Sequence, residues 1–191
     1  VNTTLQNYDA SDLQTFNRPF RHSKVLRLID ETDTAILNNT TTVTMAKKFS
    51  PTLSTATSYN INFNNRFYNP VSGYNATGGG IVSSTGFYMN SVTTIEYFFD
   101  DDGSGNLRIY SLSSAGVRTY LNTTAGTVDY TNGTISTNSL LISAVSDVDG
   151  ASSTQIRITA IPNSNDVVPV RNQILEIDLV NTTTGGTVDA Q

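Results

Sequence analysis

Apolar and polar residues alternate with a period of two along several short stretches of this chain, and turn residues interrupt the alternation again and again. In one stretch Tyr59, Ile61 and Phe63 stand against Asn60, Asn62 and Asn64. Ile95, Tyr97 and Phe99 repeat the pattern, as do Leu107 and Ile109. Ile156, Ile158 and Ala160 lie opposite Gln155, Arg157 and Thr159, and Leu175, Ile177 and Leu179 lie opposite Glu176 and Asp178. Successive side chains of a strand point to opposite faces, so each run predicts a strand with one buried and one wet face. Asn132-Gly133, between Val128–Tyr130 and Thr134–Ser136, predicts a two-residue hairpin turn whose central residues both take positive φ. Asp102-Gly103, Ala115-Gly116, Asp149-Gly150 and Gly185-Gly186 mark further turns, and Gly78-Gly79-Gly80 a loop. Pro162 and Pro169 bracket a connection before the last run, and Pro169, which lacks an N–H, belongs at an edge or a strand start.

Many short strands joined by tight turns predict an all-β fold: an antiparallel β-sandwich or barrel-like domain with an N-terminal arm and at most one or two short helices. Residues 1–22 are polar, aperiodic and carry Pro19, so they read as an arm or linker, disordered unless docked on a neighbour, with Asp9–Leu13 able to cap one helical turn. Residues 23–191 read as the antiparallel β structural domain, whole or as two small lobes. Ser23–Asp30 fits either a strand with Leu26 and Leu28 on one side or a short helix carrying Val25, Leu28 and Ile29.

Composition supports the β reading and narrows function. Charged residues make up 14% of the 191, well under the usual quarter, and Ser, Thr and Asn take their place at about a third of the chain. Thr suits a pleated surface and Asn and Ser suit turns. The net charge is −5 and the 11 Lys and Arg are scattered, with only Lys47 and Lys48 adjacent, so neither nucleic acid nor an anionic membrane is an expected partner. No apolar run approaches the roughly 18 residues that a membrane-spanning helix needs. With no Cys, disulfides and thiolate metal sites are excluded. The Asn-x-Ser/Thr sequons at Asn2, Asn38, Asn39, Asn75, Asn122, Asn132 and Asn181 follow from the abundance of Asn and Thr.

No constellation specifies a reaction. The single histidine, His22, sits beside Arg21 in the arm and reads as a surface residue, and no Gly-x-Ser-x-Gly elbow surrounds a serine. Glu31, Glu96, Glu176 and the Asp residues are the carboxylates a glycosidase could pair, but there is no Trp for sugar stacking, and Glu96 and Glu176 fit the solvent side of the alternation. Asp100-Asp101-Asp102-Gly103-Ser104-Gly105-Asn106 resembles the opening of a calcium loop, and Asp147-Val148-Asp149-Gly150 repeats its short form. Neither has the later bidentate Glu, and Asp and Gly between strands are ordinary turn residues, so calcium at Asp100 and Asp102 is left open. The Gly78–Gly80 stretch has no following Lys-Ser/Thr, so phosphate binding is not indicated. No catalytic, cofactor-binding or metal-ligating residue is assigned, no cofactor or small-molecule substrate is expected, and the chain reads as a structural protein and not an enzyme. Val167-Val168-Pro169-Val170 is a candidate subunit contact, the alternative being that it enters the core.

Three stretches carry a family resemblance: Ser23–Asp30 (SKVLRLID), Ala125–Ile135 (AGTVDYTNGTI) and Asn165–Asp178 (NDVVPVRNQILEID). In this order they resemble the C-terminal part of a baseplate wedge subunit of T-even-type contractile-tailed phages, especially the marine cyanophage relatives. The resemblance implies a virion part in the tail baseplate, assembled in the host cytoplasm, acting through contacts with other copies of itself and other baseplate proteins in the wedge ring. It carries over no catalytic residue, and the start at Val1 fits an excised C-terminal part. Two other classes remain beside it: an extracellular adhesin or carbohydrate-binding β-sandwich module, and a hydrolase using Glu96 or Glu176.

Overall fold

The computed structural model describes residues 1–76, 80–148, 150–170 and 173–186. Chain contacts divide it into two units, one made of Val1–Val43 with Asn165–Gln191 and the other of Thr44–Ser164.

The second unit holds the strands: β1 (Met45–Phe49), β2 (Ala56–Thr57), β3 (Asn60–Asn62), β4 (Val82–Ser84), β5 (Phe87–Met89), β6 (Val92–Asp101), β7 (Asn106–Leu112), β8 (Arg118–Asp129), β9 (Thr134–Thr137), β10 (Leu140–Val145) and β11 (Ile156–Ala160). Every pairing among them is antiparallel. The order is β1-β11-β4-β6-β7-β8-β9-β3, with β5 linking β6 to β10 and β2 on the far side of β10. The sheet curls nearly into a barrel. Its two end strands meet through side chains: Lys47 on β1 donates its Nζ to the Asn62 carbonyl on β3, and the Phe49 and Tyr59 rings lie 4.9 Å apart. Loss of solvent lowers the Lys47 pKa from its usual value, as expected for an ammonium laid across a seam.

The interior is filled by the apolar side of the alternation. Ile156, Ile158 and Ala160 are fully buried on β11, as are Phe87, Phe99, Leu107, Ile135 and Ile142 on their strands. Phe87 stacks on Phe99 at 4.5 Å, and Phe63 meets Phe67 edge-on at 5.3 Å. The expected Tyr59–Asn64 strand is present as the short β3, with Ile61 buried between exposed Asn60 and Asn62. The β6 alternation does not hold along the strand: Ile95 is exposed at one end, and at the other Asp100 and Asp101 are buried beside Phe99.

The β8–β9 hairpin differs from the expected two-residue turn. Its loop runs from Tyr130 to Gly133, and of the two residues only Gly133 has a positive φ, at 65°. Asp129 explains the longer loop, because its carboxylate accepts the N–H groups of Thr131 and Asn132 and the Asn132 side-chain amide. Those bonds stabilise a wider turn than the Asn-Gly pair would select alone. Within the same hairpin, β8 and β9 approach closely at Gly126: an added Cβ would stand 2.1 Å from the Ser136 carbonyl oxygen. Gly126→Ala is therefore expected to push β9 outward and destabilise the strand unit by about 1–3 kcal/mol. Urea unfolding followed by tyrosine fluorescence checks it.

The first unit is helical. It contains α1 (Asn2–Tyr8), a π-helical turn (Asp9–Leu13) and α2 (His22–Asp30). Ser23–Asp30 thus resolves as helix, since Val25 and Ile29, four residues apart, share one buried face. They pack with Leu5, Tyr8 and Leu13, and Phe20, Leu28, Ile36, Ile177 and Leu179 close around them. The sequence places a boundary after residue 22, whereas contacts divide the chain at Thr44, because the apolar face of α2 closes on residues 5–13.

The expected strand at Leu175–Leu179 is a correction: residues 173–178 carry no regular secondary structure. Ile177 and Leu179 are inward as their alternation requires, but they cover helices and not a sheet, and the Ile177 N–H is satisfied by Asp9 Oδ1 at 2.7 Å. The turn and loop readings at Gly78-Gly79 and at Asp149 lie outside the described residues, as do Arg171 and Asn172.

Asp166 holds the start of α2 from the far end of the sequence. Its carboxylate accepts the His22 backbone N–H at 2.9 Å and pairs with Arg21 at 2.8 Å. Helix N-termini leave N–H groups without intrahelical acceptors, and Arg21 at the cap position offers no side-chain oxygen. The Arg21 guanidinium, then the His22 N–H, hold the Asp166 carboxyl below its ordinary value. A depressed carboxylate stabilises the fold above about pH 4, its unfolded value, and that contribution is lost as pH falls through the folded value. Protection of the His22–Val25 amides, taken relative to intrinsic exchange at each pH, is accordingly expected to fall on acidification below about pH 4, and Asp166→Ala to show the low protection already at neutral pH.

Candidate functional site

The acidic turn that resembles a calcium loop is the most densely bonded part of the strand unit. A hairpin turn at Asp102–Gly105 sets Asp100 on β6 opposite Arg108 on β7. Asp100 and Arg108 are 1% and 5% exposed. Asp100 Oδ1 accepts Arg108 Nε at 2.8 Å, and Oδ2 accepts Arg118 Nη1 at 2.7 Å and the Tyr120 hydroxyl at 2.9 Å. Three more Arg108 N–H groups go to the carbonyls of Asn75, Ala76 and Asp101. A buried guanidinium needs acceptors as well as a counter-charge, and these bonds tie the 71–76 loop to β6 and β7.

Asp101 points to the other face and is fully buried. It accepts the Asn75 amide at 2.9 Å, the Val82 N–H at 2.9 Å, the Gly103 N–H at 3.2 Å and the Tyr130 hydroxyl at 2.6 Å. Burial, then the bond to Asp101, pushes the Tyr130 phenol far above its usual pKa. Asp102 accepts the N–H groups of Ser104 and Asn106 and the Asn106 side-chain amide. Burial raises the Asp102 pKa, but the bonds from Asn106 and Ser104 outweigh it and hold the carboxyl below the ordinary value.

Aromatic rings pack around the two arginines. The Arg108 guanidinium lies 4.4 Å from the Tyr120 ring centre and that of Arg118 4.5 Å from the Tyr110 ring centre. Phe98 stacks on Tyr110 at 5.6 Å. Burial raises the Tyr110 and Tyr120 phenols above their usual values, aided at Tyr120 by the bond to Asp100. Such phenols stay protonated at neutral pH and serve as donors and apolar plates, not as nucleophiles.

All six carboxylate oxygens of Asp100, Asp101 and Asp102 thus accept bonds from within the chain. A calcium ion would have to displace N–H and O–H donors to reach them. Among the described residues, no three of His, Cys, Asp and Glu gather in a group that could hold a metal ion. Addition of millimolar calcium is expected to leave the thermal midpoint of the protein unchanged. A rise removed by chelator would contradict that expectation. The second short form, at Asp147–Gly150, includes Asp149 and lies partly outside the described residues.

The other candidate residues fall elsewhere. His22 opens α2, and its Nε2 donates to the Thr41 carbonyl at 3.1 Å. Glu31 pairs with Arg27 one helical turn back, at 3.0 Å. Glu96 lies half-buried in β6, and Glu176 is exposed on the irregular segment. Val167 is buried in a two-way backbone bridge with Phe20, while Val168 is 54% exposed, so the Val167–Val170 run is part core and part surface. Sequence reasoning missed Arg108, Arg118, Tyr120 and Tyr130. The usable signal was the turn itself, since a hairpin centred on Asp102–Gly105 makes Asp100 and Arg108 cross-strand neighbours.

Residues 1–48 match the family model described as baseplate structural protein gp6, C-terminal domain III. The match covers α1, the π-helical turn, α2 and most of β1. Of the three stretches that carried the resemblance, Ser23–Asp30 lies inside it. It supports the C-terminal part of a phage baseplate wedge subunit, with a structural role in the virion tail baseplate. No curated protein matches the chain.

Proposed function

From the match at residues 1–48, we propose that the protein is a structural component of the wedge ring of a phage tail baseplate. It acts through subunit–subunit contacts and not through catalysis. Its partners are other copies of itself and other baseplate proteins, met in the host cytoplasm during assembly. The single observation that carries the proposal is the family match. The chemistry of the fold supports it: the buried acids and arginines are bonded to one another and to backbone, which rigidifies a sheet and leaves no free acid–base pair among them.

Reconstitution tests it. Mixed with the other baseplate proteins of the same tail, the protein is expected to enter particles that sediment faster than any component alone. Antibody against the protein is expected to label the baseplate end of the tail in electron micrographs. Absence from the baseplate, or chelator-sensitive binding on a glycan array, would overturn the proposal.

A further inference from the structure

Asn-Gly occurs once in the chain, at Asn132-Gly133 in the β8–β9 loop. Asparagine is a thermolabile residue, and it loses its amide fastest before glycine, which has no Cβ to keep its backbone nitrogen away from the preceding side chain. In that reaction the Gly133 nitrogen attacks the Asn132 side-chain carbonyl carbon, and the new C–N bond closes a five-membered succinimide. The bond to the amide nitrogen breaks, and ammonia leaves with the proton given up by the Gly133 N–H. Water then opens the ring at one carbonyl or the other, giving aspartate or isoaspartate. Asn132 is exposed, so water reaches it.

The fold cannot remove the hazard by changing the glycine. Gly133 has a φ of 65°, and an added Cβ would stand 1.9 Å from the Asn65 carbonyl oxygen. Its own carbonyl accepts the Phe63 N–H, and the Tyr130 carbonyl accepts the Phe67 N–H, both at 2.8 Å. The loop thereby docks the segment that carries the buried Phe63–Phe67 pair. Isoaspartate would add a carbon to the backbone here and displace those bonds. Aspartate would set a second carboxylate against that of Asp129, where an amide donor now sits.

Asp129 engages both reacting groups. Its backbone carbonyl accepts the Gly133 N–H, the nucleophile, at 2.9 Å. Its carboxylate accepts the Asn132 side-chain amide at 2.6 Å and the Asn132 N–H at 2.9 Å. Ring closure requires the Gly133 nitrogen to shed the proton it donates and the Asn132 side chain to swing off the carboxylate. It also requires negative charge to develop on that nitrogen within the same turn as an ionised acid. The Asn132 N–H, then its side-chain amide, hold the Asp129 carboxyl below its ordinary value, so it is fully ionised in the alkaline range where deamidation is fast.

We propose that Asn132 is a latent deamidation site and that the Asp129 carboxylate is the latch that suppresses the reaction in the folded protein. The latch goes beyond the assembly role proposed above and does not depend on it. It lies outside the residues that the family model matches.

The test is the rate of deamidation at Asn132 in the full chain at mildly alkaline pH, read by peptide mass and by isoaspartate content. The same chains unfolded in urea give the unprotected rate, and folded wild type is expected to react far more slowly. Asp129→Ala removes the carboxylate and leaves the backbone carbonyl. Its folded form is expected to react about tenfold faster than wild type, because the amide is freed and the turn opens more often. Asp129→Asn keeps the size and one acceptor oxygen and is expected to fall between the two. Gly126→Ala strains the same hairpin away from the latch and is expected to stay within about twofold of wild type. Folded wild type reacting as fast as the urea-unfolded chain overturns the latch. So do Asp129→Ala and Asp129→Asn if both react at the wild-type rate. Acceleration by Gly126→Ala equal to that of Asp129→Ala also overturns it, since protection would then come from the hairpin as a whole.

Discussion

Asp100→Ala is expected to destabilise the strand unit by about 3–5 kcal/mol, because it leaves Arg108 as a buried cation without its counter-charge. Arg108 is 5% exposed, so water cannot replace the lost carboxylate without opening the sheet. Its other donors reach the carbonyls of Asn75, Ala76 and Asp101, whose partial charges orient the guanidinium but do not neutralise it. The same substitution strands the Arg118 and Tyr120 donors that end on Oδ2, although Arg118 is about a third exposed and recovers part of its loss in water. Asp100→Asn keeps the shape and an acceptor and is expected to lose less. The charged bond to Arg108 becomes a neutral one, and the amide nitrogen faces a donor it cannot accept. The measurement is the urea midpoint of each variant with the slope held in view. A shift with unchanged slope reports stability, and a cost under about 1 kcal/mol for the alanine variant would mean that the pair is not held dry. Because Arg108 also ties down the 71–76 loop, faster amide exchange at Tyr74–Ala76 is expected in the alanine variant before any global change.

Phe99→Ala is expected to cost a similar amount, about 3–5 kcal/mol, for a different reason. Phe99 is fully buried on β6 and stacks on Phe87 of the adjoining β5 at 4.5 Å. Removing the ring deletes its transfer free energy and leaves a cavity that the paired strands cannot collapse into, since the ladders on both sides fix their spacing. Phe99→Leu fills most of the volume and is expected to recover more than half of the loss. Thermal unfolding of the two variants beside wild type decides it. Equal destabilisation by alanine and leucine would show that ring stacking, and not filled volume, is what position 99 supplies.

The two substitutions sit next to each other in sequence and act on opposite faces of one strand, which shows how far a period-two reading carries. At β11 it carries fully, since Ile156, Ile158 and Ala160 are all buried where the alternation places them. At β7 it is half right. Leu107 and Ile109 are buried as expected, but Arg108 and Tyr110 are buried too, because the 71–76 loop and the arginine–tyrosine packing cover the second face. At β6 the same pattern runs past the core, so Ile95 ends exposed while Phe99 is enclosed. At Leu175–Leu179 the pattern is correct about which side chains turn inward and silent about what they meet, and what they meet is a pair of helices.

Local chemistry determined by itself that this chain builds short antiparallel strands joined by Asp-, Asn- and Gly-rich turns, with one short helix at Ser23–Asp30 among the allowed readings. Those outcomes depend on side-chain direction and backbone preference within a few residues, and both are written in the chain. Tertiary structure alone decided the rest. It chose helix for α2 by giving Val25 and Ile29 a shared face to cover, denied Leu175–Leu179 a ladder by offering it no strand, and turned three consecutive aspartates into fastenings for Arg108, Arg118, Tyr120 and Tyr130. The physical reason is common to all three. Burial and hydrogen-bond partners are set by which distant segments the fold brings alongside, and a charge or an apolar side chain takes its role from those partners.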